Sequence, residues 1–201
     1  MTTRLDERRR LRSAFVTLGI TGPPSLAENA HVGFHRLVLS YRPTAGWAHQ
    51  LPTELAGAVG VRDARLVTEA RAGRRRAADI VAAWGAQLGT LRTSASASLR
   101  ARVGHAISHP WRADPAAPAL EAFLLAGARV EGVVRDLFLD GSTFHHGPRV
   151  DRSAVTGSAE WGVGARIARV ALEYRLVTHA REYATGPAQH RVGVLSVSLL
   201  P

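Results

Sequence analysis

Between Thr90 and Val103 the chain alternates polar and apolar residues. Thr90, Arg92, Ser94, Ser96, Ser98, Arg100 and Arg102 share one face of an extended segment, and Leu91, Ala95, Ala97, Leu99, Ala101 and Val103 share the other. A run of this length exceeds the usual soluble strand of about five or six residues, and it covers the ~9–11 residues that a tilted strand needs to cross a bilayer. The same period recurs elsewhere. Ala14, Val16, Leu18 and Ile20 lie on one face ahead of a Gly22-Pro23-Pro24 stop, and the Leu172-Tyr174-Leu176 face alternates with Glu173, Arg175 and His179. Strands are expected at 11–20, 54–60, 65–71, 78–88, 90–103, 120–129, 130–139, 158–165, 166–181 and 191–199. Arg62-Asp63 is read as a turn. The charged run 4–12 is read as a solvated turn or chain end, 105–118 as a loop, and 140–153 as a turn-rich loop.

One stretch departs from this period. Ser25-Leu26-Ala27-Glu28 has the spacing of a capping box, which predicts a helix over about 26–40. His31 and His35 are four residues apart and project from one face of it. Pro43 and the Ala45-Gly46 pair are expected to end the helix, Gly46-Trp47 to start the return, and Gln50 and Glu54 to close the segment.

Long dyad strands in hairpin order, with Arg and Glu on the polar faces, favour an all-β fold. The expected fold is an antiparallel transmembrane β-barrel, incomplete at about nine strands, with one α-helix in a loop. The competing reading is a soluble antiparallel sheet with one wet face. At 201 residues the chain is read as a single domain, 1–201. The absence of cysteine excludes disulfides and thiolate metal or redox sites. A net charge of +10 raises nucleic acid as a partner. All 26 basic residues are arginine, however, and they are spread along the chain without a nucleic-acid motif, so no nucleic acid is expected; an anionic lipid or sugar phosphate fits better. No apolar run is long enough for a transmembrane helix, and the N-terminus lacks the h-region of a secretory signal.

The residues alone leave the histidines open. His31 and His35 could be ordinary surface or loop side chains, which is the commonest fate of histidine. They could form a metal pair, but no Glu of the metalloprotease pattern and no third ligand stand near them in sequence. They could supply a general base, because a neutral imidazole takes a proton from water once a neighbour fixes its tautomer. His145-His146 reads as solvated or lipid-facing, and Asp140 and Asp151 as turn formers. Arg74-Arg75-Arg76 reads as a lipid-phosphate contact or a solvated turn.

Two blocks carry a resemblance. Gly19-Ile20-Thr21-Gly22-Pro23-Pro24-Ser25-Leu26, His35-Arg36-Leu37, Gly46-Trp47-Ala48-His49-Gln50-Leu51 and Glu54 form the first. Leu139-Asp140-Gly141-Ser142-Thr143-Phe144, Val150-Asp151, Tyr174-Arg175 and Arg181-Glu182-Tyr183 form the second. Together they resemble the lipid A 3′-O-deacylases of the outer membrane, the LpxR type, from about Leu11 onward.

The resemblance implies a twelve-stranded outer-membrane barrel that removes the 3′-linked acyloxyacyl group of lipopolysaccharide. A helix-borne His would act as general base, with calcium polarising the ester carbonyl. His35 matches that base; Gln50, Glu54 and His31 would line the site. Lipid A in the outer membrane is the implied partner, and no protein partner is expected. The family's Asn-Asp calcium pair precedes the first block, as do its signal peptide and N-terminal hairpins, and none of these has a counterpart here. The chain is therefore expected to be an inactive C-terminal portion. The alternative is a non-catalytic barrel or barrel remnant with a structural or lipid-binding role.

Overall fold

The structure, a computed structural model, describes residues 2–7, 9–39, 46–111 and 120–199. Nine strands make one antiparallel sheet in which each pairs with its sequence neighbours: β1 (Thr2–Glu7), β2 (Arg10–Ile20), β3 (Leu55–Ala72), β4 (Arg75–Gly89), β5 (Arg92–His105), β6 (Leu120–Asp136), β7 (Val155–Ile167), β8 (Val170–Ala180) and β9 (Gln189–Leu199). Such a meander needs only hairpin connections, which is why alternation along the sequence translates directly into the two faces of the wall.

The wall is curled. Ser13 of β2 and Arg175 of β8 line one cavity of about 630 Å³, although six strand spacings separate them, roughly 29 Å in a flat sheet. Its inner face is polar. Asp79, Glu121, Glu131 and Arg166 are buried there, whereas Leu18 (83% exposed), Leu88, Leu124, Leu195 and Leu199 (81% exposed) stand outward. This inverts the pattern of a soluble protein and suits a wall whose outer solvent is hydrocarbon.

Inner charges pair across strands. Arg102 donates to both Asp79 oxygens at 3.0 and 2.6 Å. Glu160 accepts from Arg100 at 2.8 Å and from Arg175 at 2.9 Å, tying β5, β7 and β8. Arg166 lies 3.3 Å from Glu121, which also accepts from Ser108.

Several strand boundaries differ from the sequence expectation. The segments 54–60 and 65–71 are one strand of 18 residues, because Arg62 and Asp63 stay in the ladder, opposite Ser13 and Arg12, instead of turning. Likewise 120–129 and 130–139 are one 17-residue strand as far as Asp136. Part of the run 4–12 is no turn either: Thr2–Glu7 pairs in register with Arg10–Phe15. Of Arg74-Arg75-Arg76, Arg76 is a buried residue bonded to Glu69, Asp79 and Ser108, not a lipid contact.

Three long connections, 21–54, 137–154 and 181–188, lie at one end of the wall together with the short turn 90–91. The other end carries the short turns 73–74 and 168–169 together with the longer 106–119. Membrane barrels show this asymmetry, with long loops outside.

Candidate functional site

The loop-bearing end is built from the β2–β3 and β6–β7 connections. Gly22 (φ +75) opens the first by letting the backbone pass Thr53, whose amide and hydroxyl would lie 2.8 Å from any added Cβ. A 3-10 turn, Pro23–Ser25, leads to α1 (Ala27–Phe34), which continues as a π-helical turn, His35–Leu39. The helix expected over 26–40 is therefore shorter and changes pitch at His35; Ser40, Pro43 and Ala45 lie outside the described residues.

The capping box does not form. Ser25 spends its hydroxyl proton on the Gly22 carbonyl at 2.7 Å, and Leu26 becomes the N-cap in the left-handed region (φ 57) with no side-chain cap. Strain of that kind in a residue with a Cβ costs on the order of 1–2 kcal/mol.

α1 buries none of its residues, and Phe34 at its end and Leu37 in the π-helical turn are exposed, Leu37 by 86%. A helix with its apolar side chains uncovered at the rim of an apolar wall suits the headgroup boundary of a membrane. The i, i+4 spacing, with the His35 amide donating to the His31 carbonyl, brings two imidazoles together: their rings stack with centroids 4.3 Å apart at 29°. Trp47, in the 3-10 turn Trp47–His49, meets His31 edge-on at 5.6 Å, and Phe34 flanks His35 at 6.4 Å. His35 is half-buried in this cluster. Gln50 enters through its backbone, its amide donating to the Trp47 carbonyl at 3.3 Å.

Glu54 does a different job from lining the imidazoles. Only 5% exposed, its carboxylate accepts from the Ser142 hydroxyl, from the Thr143 amide at 2.9 Å and from the Thr143 hydroxyl at 3.0 Å. Burial pushes the Glu54 carboxyl up, but the bonds from Ser142 and Thr143 outweigh it and hold the group below its ordinary value. Thr21 completes the junction: its amide donates to the Glu54 carbonyl at 3.0 Å and its hydroxyl to the Pro52 carbonyl at 2.6 Å.

The second connection is shaped by charge. Asp136 caps the short helix α2 (Leu137–Asp140) and pairs with Arg92. Asp140 accepts from the Asp136 amide at 2.7 Å and from Arg152 at 3.1 Å. Arg135 reaches the Thr143 hydroxyl at 2.9 Å, so Ser142 and Thr143 are presented to Glu54 on a braced loop. His145 is exposed, and its Nδ1 lies 3.3 Å from the Ser142 hydroxyl.

Of the four residues named from sequence, the structure joins His31 and His35 in one stack with Trp47, places Gln50 beside it, and gives Glu54 to the inter-loop latch. Sequence reading missed Ser142 and Thr143 as partners of Glu54. The signal was present in the Gly141-Ser142-Thr143 block, but nothing local says that a residue 88 positions away meets it.

Comparison with known proteins agrees with the fold. No curated protein matches by sequence. Among solved structures the chain is similar to LpxR from Salmonella typhimurium, with a TM-score of 0.80 and 14% identity over 99% of this chain and 72% of that one. The family model described as outer membrane protein LpxR matches residues 1–200. The chain therefore belongs to the LpxR family of outer membrane proteins.

Proposed function

We propose, against the expectation of an inactive portion, that this chain is a lipid A deacylase-like hydrolase that cleaves the 3′-linked ester of lipid A at the loop-bearing end, with His35 as general base. The observation that carries the proposal is the His31–His35 stack, with Trp47 edge-on to His31, on a helical segment whose Phe34 and Leu37 remain uncovered. In this reading the His35 imidazole takes a proton from water as the water oxygen attacks the ester carbonyl. The acyl C–O bond then breaks, and the imidazolium returns its proton to the departing sugar alkoxide, giving a fatty acid and a free hydroxyl. His31 holds the plane of the His35 ring, and Trp47 backs His31 edge-on. Glu54 acts at a distance, by fixing the two loops together.

Calcium enters through the resemblance alone. Among the described residues no three carboxylates or imidazoles converge on a metal position. The nearby carboxylates are also engaged: Glu54 by Ser142 and Thr143, Asp136 by Arg92, and Asp140 by Arg152. The described residues by themselves do not fit the ion, and no step is routed through it.

The test is release of 3′-linked fatty acid by the 201-residue chain refolded into vesicles containing lipid A, followed by mass spectrometry. His35→Ala is expected to lower release at least about 100-fold, the scale of a lost general base, while the heat-modifiable migration of the folded barrel persists. Undiminished release by His35→Ala would sink the base assignment. No release from the unaltered chain would sink the hydrolase reading for this chain and leave the non-catalytic lipid-binding barrel.

A further inference from the structure

On the outward face of β2 and β3, the side chains of Arg10, Arg12 and Arg65 converge on one carboxylate. Arg10 lies 2.5 Å from Asp63, Arg65 3.3 Å and Arg12 3.4 Å. The register places these residues on the same face as Val61, Val59 and Leu55, the apolar side of the wall. Among the described side chains, three guanidiniums on one carboxylate leave two positive charges in excess, and Arg12 and Arg65 are the exposed members, with side chains 46% and 59% accessible. Two unbalanced charges on a hydrocarbon-facing surface are costly unless an anion meets them.

The cluster lies near one boundary of the apolar band. Eight residues separate Arg12 from Ile20 at the loop-bearing end, about 20 Å along a tilted strand, against a band about 25 Å tall. Directly toward the loop-bearing end, the outer face has a hollow of about 490 Å³ lined by Ala14, Val16, Val59, Val61, Ala86 and Leu88. It exists because the rung next to Arg12 and Asp63 carries the small side chains Ala14 and Ala86 on either side of Val61. Trp84, directly opposite Asp63 on β4 and half-exposed, flanks the junction of charge and hollow as an interfacial aromatic does.

A cationic pair above water and an apolar hollow beneath it fit an amphiphile whose head is an anionic phosphodiester. We propose that this face binds one glycerophospholipid of net negative charge in the leaflet opposite the loop-bearing end, its phosphate on Arg12 and Arg65 and one acyl chain in the hollow. Arg10 stays with Asp63 and keeps the carboxylate neutralised. The site is on the outside of the wall and at the other end from His35, so it stands or falls independently of the proposed hydrolysis.

The experiment uses the full chain refolded in phosphatidylcholine vesicles containing spin-labelled lipid, either phosphatidylglycerol or phosphatidylcholine, with the immobilised fraction read by electron spin resonance. Phosphatidylglycerol is expected to be preferred over phosphatidylcholine at the site by up to about 30-fold, the scale of two surface arginines. R12Q/R65Q should abolish that preference, and Ala86→Phe, which fills the hollow, should lower immobilisation of both lipids. Heat-modifiable migration reports that each variant is folded. Equal immobilisation of the two lipids by the unaltered chain, or a preference unchanged in R12Q/R65Q, would overturn the site. Displacement of the labelled lipid by lipid A but not by unlabelled phosphatidylglycerol would overturn the choice of a glycerophospholipid.

Discussion

The wall and the α1 segment are held together in opposite ways. In the wall, Asp79 is 2% exposed and accepts two bonds from Arg102, with Arg76 3.7 Å away and the Arg102 guanidinium stacked 5.3 Å over Phe123. Glu160 is shared in the same way by Arg100 and Arg175. α1 buries none of its residues, enters through a strained Leu26, and is steadied by ring stacking at His31 and by one carboxylate latch at its far end. The wall is over-determined and the segment carrying the imidazoles is not. Loss of one residue should therefore cost stability in the wall and chemistry or local order in the segment.

The sharpest way to break that contrast is Asp79→Ala. It leaves Arg102 with the Ser108 carbonyl in place of its carboxylate, while Arg76 keeps Glu69, and removing one partner of a buried pair costs about 3–5 kcal/mol. Guanidinium chloride unfolding of the refolded chain should lose at least about 3 kcal/mol. A loss under about 1 kcal/mol would mean that water in the cavity solvates the arginines and that the pairing holds little.

The contrast also explains what could be read from the sequence. Segment 90–103 was legible because its Ser and Arg face inward in strict alternation with Ala and Leu, so one period encodes both the strand and its solvent. Arg62-Asp63 was misread because an Arg-Asp pair inside a strand has the local composition of a turn; only the neighbouring Arg10 and Arg12, brought alongside by the fold, give Asp63 a reason to stay extended. The capping box failed for a related reason. Ser25 had a nearer acceptor in the Gly22 carbonyl once Pro23 and Pro24 set a tight turn, and a motif of four residues does not include that competitor. His31 and His35 were visible as a pair, but Trp47 closes on them from beyond the helix.

A smaller effect is expected at the latch. Glu54→Gln keeps the shape but removes the charge that accepts from Ser142 and Thr143, a loss of about 1–3 kcal/mol for bonds to a buried charged group. The same latch has a pH dependence of fixed sign. The folded Glu54 carboxyl titrates below its unfolded value, so its contribution is complete above the unfolded value and falls away as pH drops through the folded one. Hydrogen exchange at the Thr143 amide should be slow at neutral pH, accelerate below the ordinary carboxylate range, and be fast at every pH in Glu54→Gln. Protection that is unchanged on acidification would show that the loop is braced by Arg135 and Arg152 alone.

The smallest effect belongs to the strained entrance. Leu26→Gly relieves the left-handed backbone cost of about 1–2 kcal/mol, but glycine also enlarges the unfolded ensemble by about 0.4–1 kcal/mol. The net change in stability should therefore lie between about zero and about 1.6 kcal/mol stabilising. Leu26 is 62% exposed, so little packing is lost with its side chain. The informative readouts are exchange of the Ala30 amide, which donates to the Leu26 carbonyl at 3.0 Å, and acyl release. If ring stacking alone orients His35, Ala30 becomes slightly better protected and release stays within about twofold of the unaltered chain. If release falls tenfold or more while the amide stays protected, the strain at Leu26 sets the pitch that brings His35 onto His31. The helix segment would then owe its geometry to its entrance as much as to Trp47.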